Sequence, residues 1–241
     1  MFTPPYTYPQ NLQASLKQQG FALLPGSDVA SLSGCTLPDL LALNDSWQRL
    51  GADNYLKDGG KYRSRRHASC VVDGTGVKPA PHRAHWQPVE YNALHGGMER
   101  WFEPMEDASF SIALQSVLAW LGTLSSGLRS AQPWFTEVHQ FRIDTAGGIG
   151  RPTPEGAHRD GVDLVAVFLV ARERVKGGET RIFEADAPGG QRFTLSEPWS
   201  VLLLDDARMI HETTPIQPAG EGGYRDTLVV TLRAGAFQDA A

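Results

Sequence analysis

The chain has 241 residues, 41% hydrophobic and 20% charged, with a formal net charge of −5. That is the composition of a soluble globular protein large enough to bury a core. The acidic balance argues against nucleic acid as the main partner. No apolar run reaches membrane-span length, MFTPPYTYPQ (1–10) lacks the basic and apolar regions of a signal peptide, and Cys35 and Cys70 form no CxxC pattern, so a cytoplasmic protein without a membrane anchor is expected.

In chain order, GFALLPG (20–26) predicts a short buried strand. LPDLLALNDSWQRL (37–50) predicts a helix, with Leu40, Leu43, Trp47 and Leu50 three and four residues apart. A polar loop (51–60) leads to YRSRRHASCVVDG (62–74), a strand entered through the densest basic cluster of the chain. HRAHWQPVEY (82–91) is mixed, and its proline argues against a long strand. SFSIALQSVLAWLGTL (109–124) is the clearest helix, with one apolar stripe through Phe110, Ala113, Leu114, Val117, Leu121 and Leu124.

From residue 133 the period changes. WFTEVHQFRI, DLVAVFLVARERV, GGETRIFEA, WSVLLLDD and DTLVVTLRAG are five strand-like runs separated by turn-rich segments. The 25 glycines and 16 prolines fit many turns between short strands. There is no internal repeat and no low-complexity tract. The expected class is α+β with a mainly β core and N-terminal helices packed outside it, in one domain over 1–241: a supporting region at 1–130 and the β core at 131–236.

EGAHRDGVD (155–163) sits in the turn before the second of these runs. HRD opens a protein-kinase catalytic loop, but that loop needs an Asn five residues after the Asp, where this chain has Val165, and no DFG occurs. His-x-Asp is also two thirds of a 2-His-1-carboxylate metal face, and on a strand His158 and Asp160 would project side by side while Arg159 pointed away. His211, in the expected loop ARMIHETTPI, is the candidate third ligand; the gap from Asp160 holds about three short strands with their turns. Arg225, with Thr227 on the same face, opens the last strand and suits a carboxylate. A three-residue face leaves metal positions for a chelating 2-oxo acid and for oxygen. Taken singly, these residues also fit a turn, a surface loop and a surface ion pair.

In combination, HxD, a distal His and a later Arg resemble the Fe(II)/2-oxoglutarate-dependent dioxygenases. More closely, YRSRR (62–66), PEGAHRDGVD (154–163), KGGET (176–180), LLLDDARMIHETTPI (202–216) and YRDTLVVT (224–231) resemble the bacterial 2OG-Fe dioxygenase family that includes the L-isoleucine hydroxylases and the BsmA biofilm-associated proteins. The resemblance implies a double-stranded β-helix (jelly-roll, cupin-like) fold. It implies Fe(II) held by His158, Asp160 and His211, 2-oxoglutarate held by Arg225, and O2 as co-substrate, with ascorbate as the reductant in vitro. The expected reaction is hydroxylation of a small molecule with succinate and CO2 as co-products. The substrate that the resemblance suggests is a free aliphatic L-amino acid, whose carboxylate would take Arg63 or Arg65, which share a strand face. Gln87 and Trp86 could line the same pocket, and Asp205 or Asp206 could orient a histidine ligand. His139 is read as a buried strand or pocket-wall residue, Arg142 equally as a pocket or a structural residue, and His67, His82, His85 and His95 as surface or structural. Three alternatives stay open: hydroxylation of a peptide or carrier-bound group, a non-catalytic metal- and 2-oxoglutarate-binding protein linked to stress or biofilm regulation, and a metal-using cupin of other chemistry.

Overall fold

The computed structural model describes residues 2–239. Its first elements are α1 (Leu12–Gln19), β1 (Phe21–Leu24), α2 (Gly26–Ser33) and α3 (Leu37–Leu41), followed by a 3-10 segment over Ala42–Arg49. The strand β1 matches its prediction; α1 and α2, short and weakly patterned, were not expected. The helix expected over 37–50 divides. α3 starts on a Thr36–Asp39 capping box, but Asn44, Asp45 and Ser46 are residue types that favour local turns over helix, and the Ser46 hydroxyl donates to Leu43 O at 2.9 Å.

β2 (Arg63–Asp73), β3 (Gly76–Pro79) and α4 (Ile112–Leu128) follow, with Ser111 capping α4 through its Oγ. Then come β4 (Trp134–Asp144), β5 (Leu164–Glu173), β6 (Val175–Gly177), β7 (Thr180–Glu184), β8 (Gly190–Phe193), β9 (Val201–Asp205), β10 (Met209–Thr213), β11 (Ile216–Pro218) and β12 (Tyr224–Ala234). All five predicted C-terminal runs are strands. β10 is a correction: ARMIHETTPI is a strand, not a loop. Its burial alternates, with Met209, His211 and Thr213 inside, but too few residues are apolar for the pattern to be visible in sequence.

Every strand pair is antiparallel. A seven-stranded sheet runs β1-β9-β5-β12-β4-β2-β3, and β10-β7-β8 and β11-β6 form smaller sheets. This is the double-stranded β-helix that the motifs implied. Three of the large sheet's strands, β1, β2 and β3, come from the first third of the chain. One face of the large sheet carries the helices: Leu114, Val117, Leu118 and Leu121 of α4 pack in one cluster with Val72, Val138, Phe168, Leu203 and Val230. The other face packs Val165, Leu169, Leu202 and Leu204 against Ile182, Phe193 and Met209 of the small sheet. Both faces of β5 and β9 are therefore covered, which is why LVAVFLV and VLLL are unbroken apolar runs. On β2, β4 and β12 the inward positions are mostly polar, and they form the wall of a cavity. Among the described residues no helix is long and apolar enough to cross a membrane.

Candidate active site

Sheet register builds the cavity row by row. Arg63 of β2, Ile143 of β4 and Arg225 of β12 align; next come Arg65, Phe141 and Thr227; then His67, His139 and Val229; then Ser69, Glu137 and Thr231. Adjacent inward residues lie two positions apart along each strand, so one register fixes twelve side chains on one face. The cavity, of about 110 Å³, is lined by most of these and by His158, Asp160 and His211.

His158 is not on a regular strand, which corrects the expected strand geometry for HxD. A single bridge to β10 places it: His158 N donates to His211 O at 3.1 Å and His211 N to His158 O at 2.9 Å. The two rings lie 4.5 Å apart. Asp160 follows in a turn gathered by Asp206, whose carboxylate accepts from the backbone N–H groups of Asp160 (3.0 Å), Gly161 (2.7 Å) and Val162 (3.1 Å). Asp206 thus orients the aspartate's turn and not a histidine ring, and Asp205 instead pairs with Arg129 at 2.8 Å. Gly161 has φ +76, and a Cβ there would meet the Tyr91 ring at 2.5 Å, so the turn requires glycine. Arg159 points away, as expected, and donates to Ala207 O.

The three side chains fit an iron ion. His158 Nδ1 donates to Gly156 O at 2.9 Å, which leaves the Nε2 lone pair free. His158 Nε2 lies 3.9 Å from Asp160 Oδ1, and His211 Nε2 lies 4.0 Å from Asp160 Oδ2. Those gaps are too long for hydrogen bonds, and an ion with bonds of about 2.1 Å spans them. Burial, helped by His158, holds His211 well below the ordinary histidine range and so keeps it neutral and able to ligate. Burial also raises Asp160. It opposes a proton on His158, but the Asp160 and Glu155 carboxylates outweigh it and lift that residue. Burial and the nearby Asp160 push Asp206 up to about 7. Gln87 donates through Nε2 to Asp160 Oδ1 at 2.9 Å, while its Oε1 accepts from Asn92 (3.1 Å) and Arg100 (2.9 Å).

Arg225 is 3% exposed, and its Nε and one terminal nitrogen have no hydrogen-bond partner among the described residues. Burial and Arg172 lower it to about 10. Buried, unpaired guanidinium donors require an anion, and the carboxylate of a 2-oxo acid meets that need, with the Thr227 hydroxyl beside it.

Arg63 and Arg65 do share the inward face. Arg63 Nε donates to Asp53 Oδ2 at 2.7 Å; Arg65 stacks over Phe102 at 3.7 Å and reaches His139 Nδ1 at 2.9 Å. Arg66 faces the other way, to Glu106 and Glu103. Arg142 pairs with Asp226 outside the cavity, as the structural reading expected. Trp86 does not line the cavity.

Of the remaining histidines, His139 is the buried strand and pocket-wall residue expected, His67 and His82 are structural, and His85 and His95 correct the sequence reading. His85 and His95 line the cavity, and His67, His85 and His139 surround Glu137. This second group is compact enough to hold a metal, but Arg65 settles its protonation. An arginine only donates, so His139 Nδ1 accepts and its proton sits on Nε2, with no lone pair there for an ion. His85 donates to Glu137 at 2.7 Å. The group is a buried carboxylate held by imidazoles; burial lowers His85 to about 4, His67 and His139 are also lowered, and the histidines keep Glu137 far below the usual carboxylate range. Arg100, Asn92 and Glu155 are further cavity residues that sequence reasoning missed. Only Glu155 had a local signal, three residues before His158.

The sequence matches the 2OG-Fe dioxygenase family over residues 44–231. The crystal structure of a BsmA homologue from Methylobium petroleophilum PM1 is 46% identical, with a TM-score of 0.94 over 99% of this chain and 98% of that one. IDO from Bacillus thuringiensis is 18% identical, with a TM-score of 0.75 over 96% of this chain and 100% of that one. The Fe(II)/α-ketoglutarate-dependent dioxygenase TqaL is 20% identical, with a TM-score of 0.71 over 93% and 86%. The last two show likeness of fold alone. No curated protein matches the chain significantly.

Proposed function

The chain belongs to the 2OG-Fe dioxygenase family, and on that premise we propose that it hydroxylates a free aliphatic L-amino acid. It is an Fe(II)- and 2-oxoglutarate-dependent dioxygenase; the net reaction converts R–H, O2 and 2-oxoglutarate into R–OH, succinate and CO2. The bound iron and 2-oxoglutarate supply the oxidising power. The chain supplies the rest. His158, Asp160 and His211 hold the metal, Arg225 and Thr227 take the far carboxylate of 2-oxoglutarate, and Gln87 fixes the Asp160 carboxylate.

The observation that carries the substrate reading is a second cationic group in the same small cavity, formed by Arg63, Arg65 and Arg100. A compact carboxylate-bearing molecule suits that lining, and Phe141, Val167, Leu202 and Val229 offer apolar surface to its carbon skeleton. A cavity of about 110 Å³ favours a free small molecule over a peptide or a carrier-bound group. A cytoplasmic setting fits the free thiols of Cys35 and Cys70.

Succinate release with Fe(II), ascorbate and 2-oxoglutarate, screened over a pool of amino acids, tests the proposal. Turnover that depends on one or a few aliphatic L-amino acids is expected. Iron-loaded protein that turns over none of them would refute the substrate reading.

A further inference from the structure

Among the described residues, the buried polar atoms around the cavity that lack a hydrogen-bond partner include Glu155 Oε2, His95 Nε2 and Arg100 Nε. Glu155 is distinctive among them. Its side chain is 12% exposed and lines the cavity, and its Oε1 lies 3.6 Å from His158 Nε2, the nitrogen that faces the metal position. No lysine or arginine pairs with it among the described residues, although Arg63 and Arg100 are close enough that their charges and that of Glu155 all act on His95. A carboxylate and two guanidinium groups therefore share one pocket without touching. A cavity lined by opposite charges that form no ion pair with each other suits a ligand that bears both charges.

We propose that Glu155 binds the α-ammonium group of the substrate at the edge of the metal centre while Arg63 and Arg100 take its α-carboxylate, so that only an amino acid with a free, unblocked amine is accepted. This rests on the amino-acid reading above and narrows it. The orphaned oxygen gains a charged donor, Arg100 gains an anion, and Arg63, already paired with Asp53, gains a second one for its terminal nitrogens. The clamp holds the substrate by its backbone and leaves the side chain to meet the oxidant. N-acylation removes the charge and adds bulk against Glu155. A 2-hydroxy acid keeps the carboxylate but offers no ammonium.

The test uses full-length protein loaded with Fe(II) and 2-oxoglutarate, and the probes are L-valine, L-leucine and L-isoleucine with their N-acetyl and 2-hydroxy-acid counterparts. Substrate-dependent succinate release, equilibrium binding of each probe and the iron content of the protein are measured for wild type, Glu155→Gln and Glu155→Asp. Wild type is expected to take a free amino acid and to refuse both counterparts. Glu155→Gln should raise KM and Kd for the amino acid at least about tenfold, the scale of one lost charge-assisted hydrogen bond, with iron content retained and with partial recovery in Glu155→Asp. If Glu155→Gln binds the amino acid as wild type does, or if the N-acetyl compound is accepted equally well, the assignment of Glu155 is overturned while the amino-acid reading stands. If Glu155→Gln loses iron, Glu155 is a metal ligand and the assignment is likewise overturned. If wild type turns over the 2-hydroxy acid and no amino acid, both readings fall.

Discussion

Gln87 cannot turn its amide over. Arg100 and Asn92 both donate to Oε1, so Nε2 must face Asp160. Gln87→Leu removes that donor from the carboxylate proposed to hold the metal and strands two more, and iron affinity should fall about 10- to 100-fold, measured by titration against a competing chelator. Arg225→Ala should act differently. It leaves the three metal-binding side chains intact, so iron binding should persist while the Kd for 2-oxoglutarate rises about 30-fold or more, the scale of a buried charge pair broken on one side. Calorimetry on the iron-loaded variant separates the two effects. The sequence exposed Arg225 through its place at the head of the last strand. It gave no hint of the Arg100–Gln87–Asp160 chain, because those residues are joined only by side-chain contacts between a loop and a turn.

At the scale of elements, the HxD turn and α4 show how closely the site depends on its supports. Asp206 ties three successive N–H groups of the turn. Asp206→Ala leaves these part-buried groups unpaired, at a cost of up to about 1–3 kcal/mol each before water enters. Weaker iron retention and a lower melting temperature should appear together. α4 presses against β2 at Gly122, where a Cβ would lie 2.5 Å from Val72 Cγ1. Gly122→Val must push the helix off the sheet, and a loss of about 1–3 kcal/mol is expected, read as a lower denaturant midpoint with an unchanged slope. The helix itself was plain in its apolar stripe. Its closeness to β2 was not, since a single glycine in a helix reads equally well as mere tolerance.

Across the whole molecule, acid stability turns on the buried imidazole–carboxylate group behind the cavity. Burial lowers His85 to about 4, below the ordinary value of about 6.5. Between those values the unfolded chain binds a proton that the folded protein refuses, so stability is intact above about pH 6.5 and falls as pH drops toward 4. The loss from His85 amounts to about 2 kcal/mol by pH 5. Glu137, depressed in the folded protein, adds a further loss only below its unfolded value of about 4.5. Asp206, raised to about 7, acts in the opposite sense over the same range, so the test is a difference: in thermal unfolding, His85→Gln, though less stable at neutral pH, should lose less stability than wild type between pH 7.5 and 5.

Local pattern alone determined five of the nine strands of the C-terminal half, the buried face of α4 and the order HxD, His, Arg. Each is written in residues two to five apart, or in a motif whose parts keep their order along the chain. Tertiary structure decided the rest. It made β10 a strand, set His158 against His211 by one backbone bridge, and drew His67, His85 and His139 around Glu137. It also placed Glu155 and Arg100 in one cavity. The physical reason is register. Which inward side chains meet across β2, β4 and β12 depends on pairing between strands far apart in sequence, and a slip of one residue would turn every one of them to the other face.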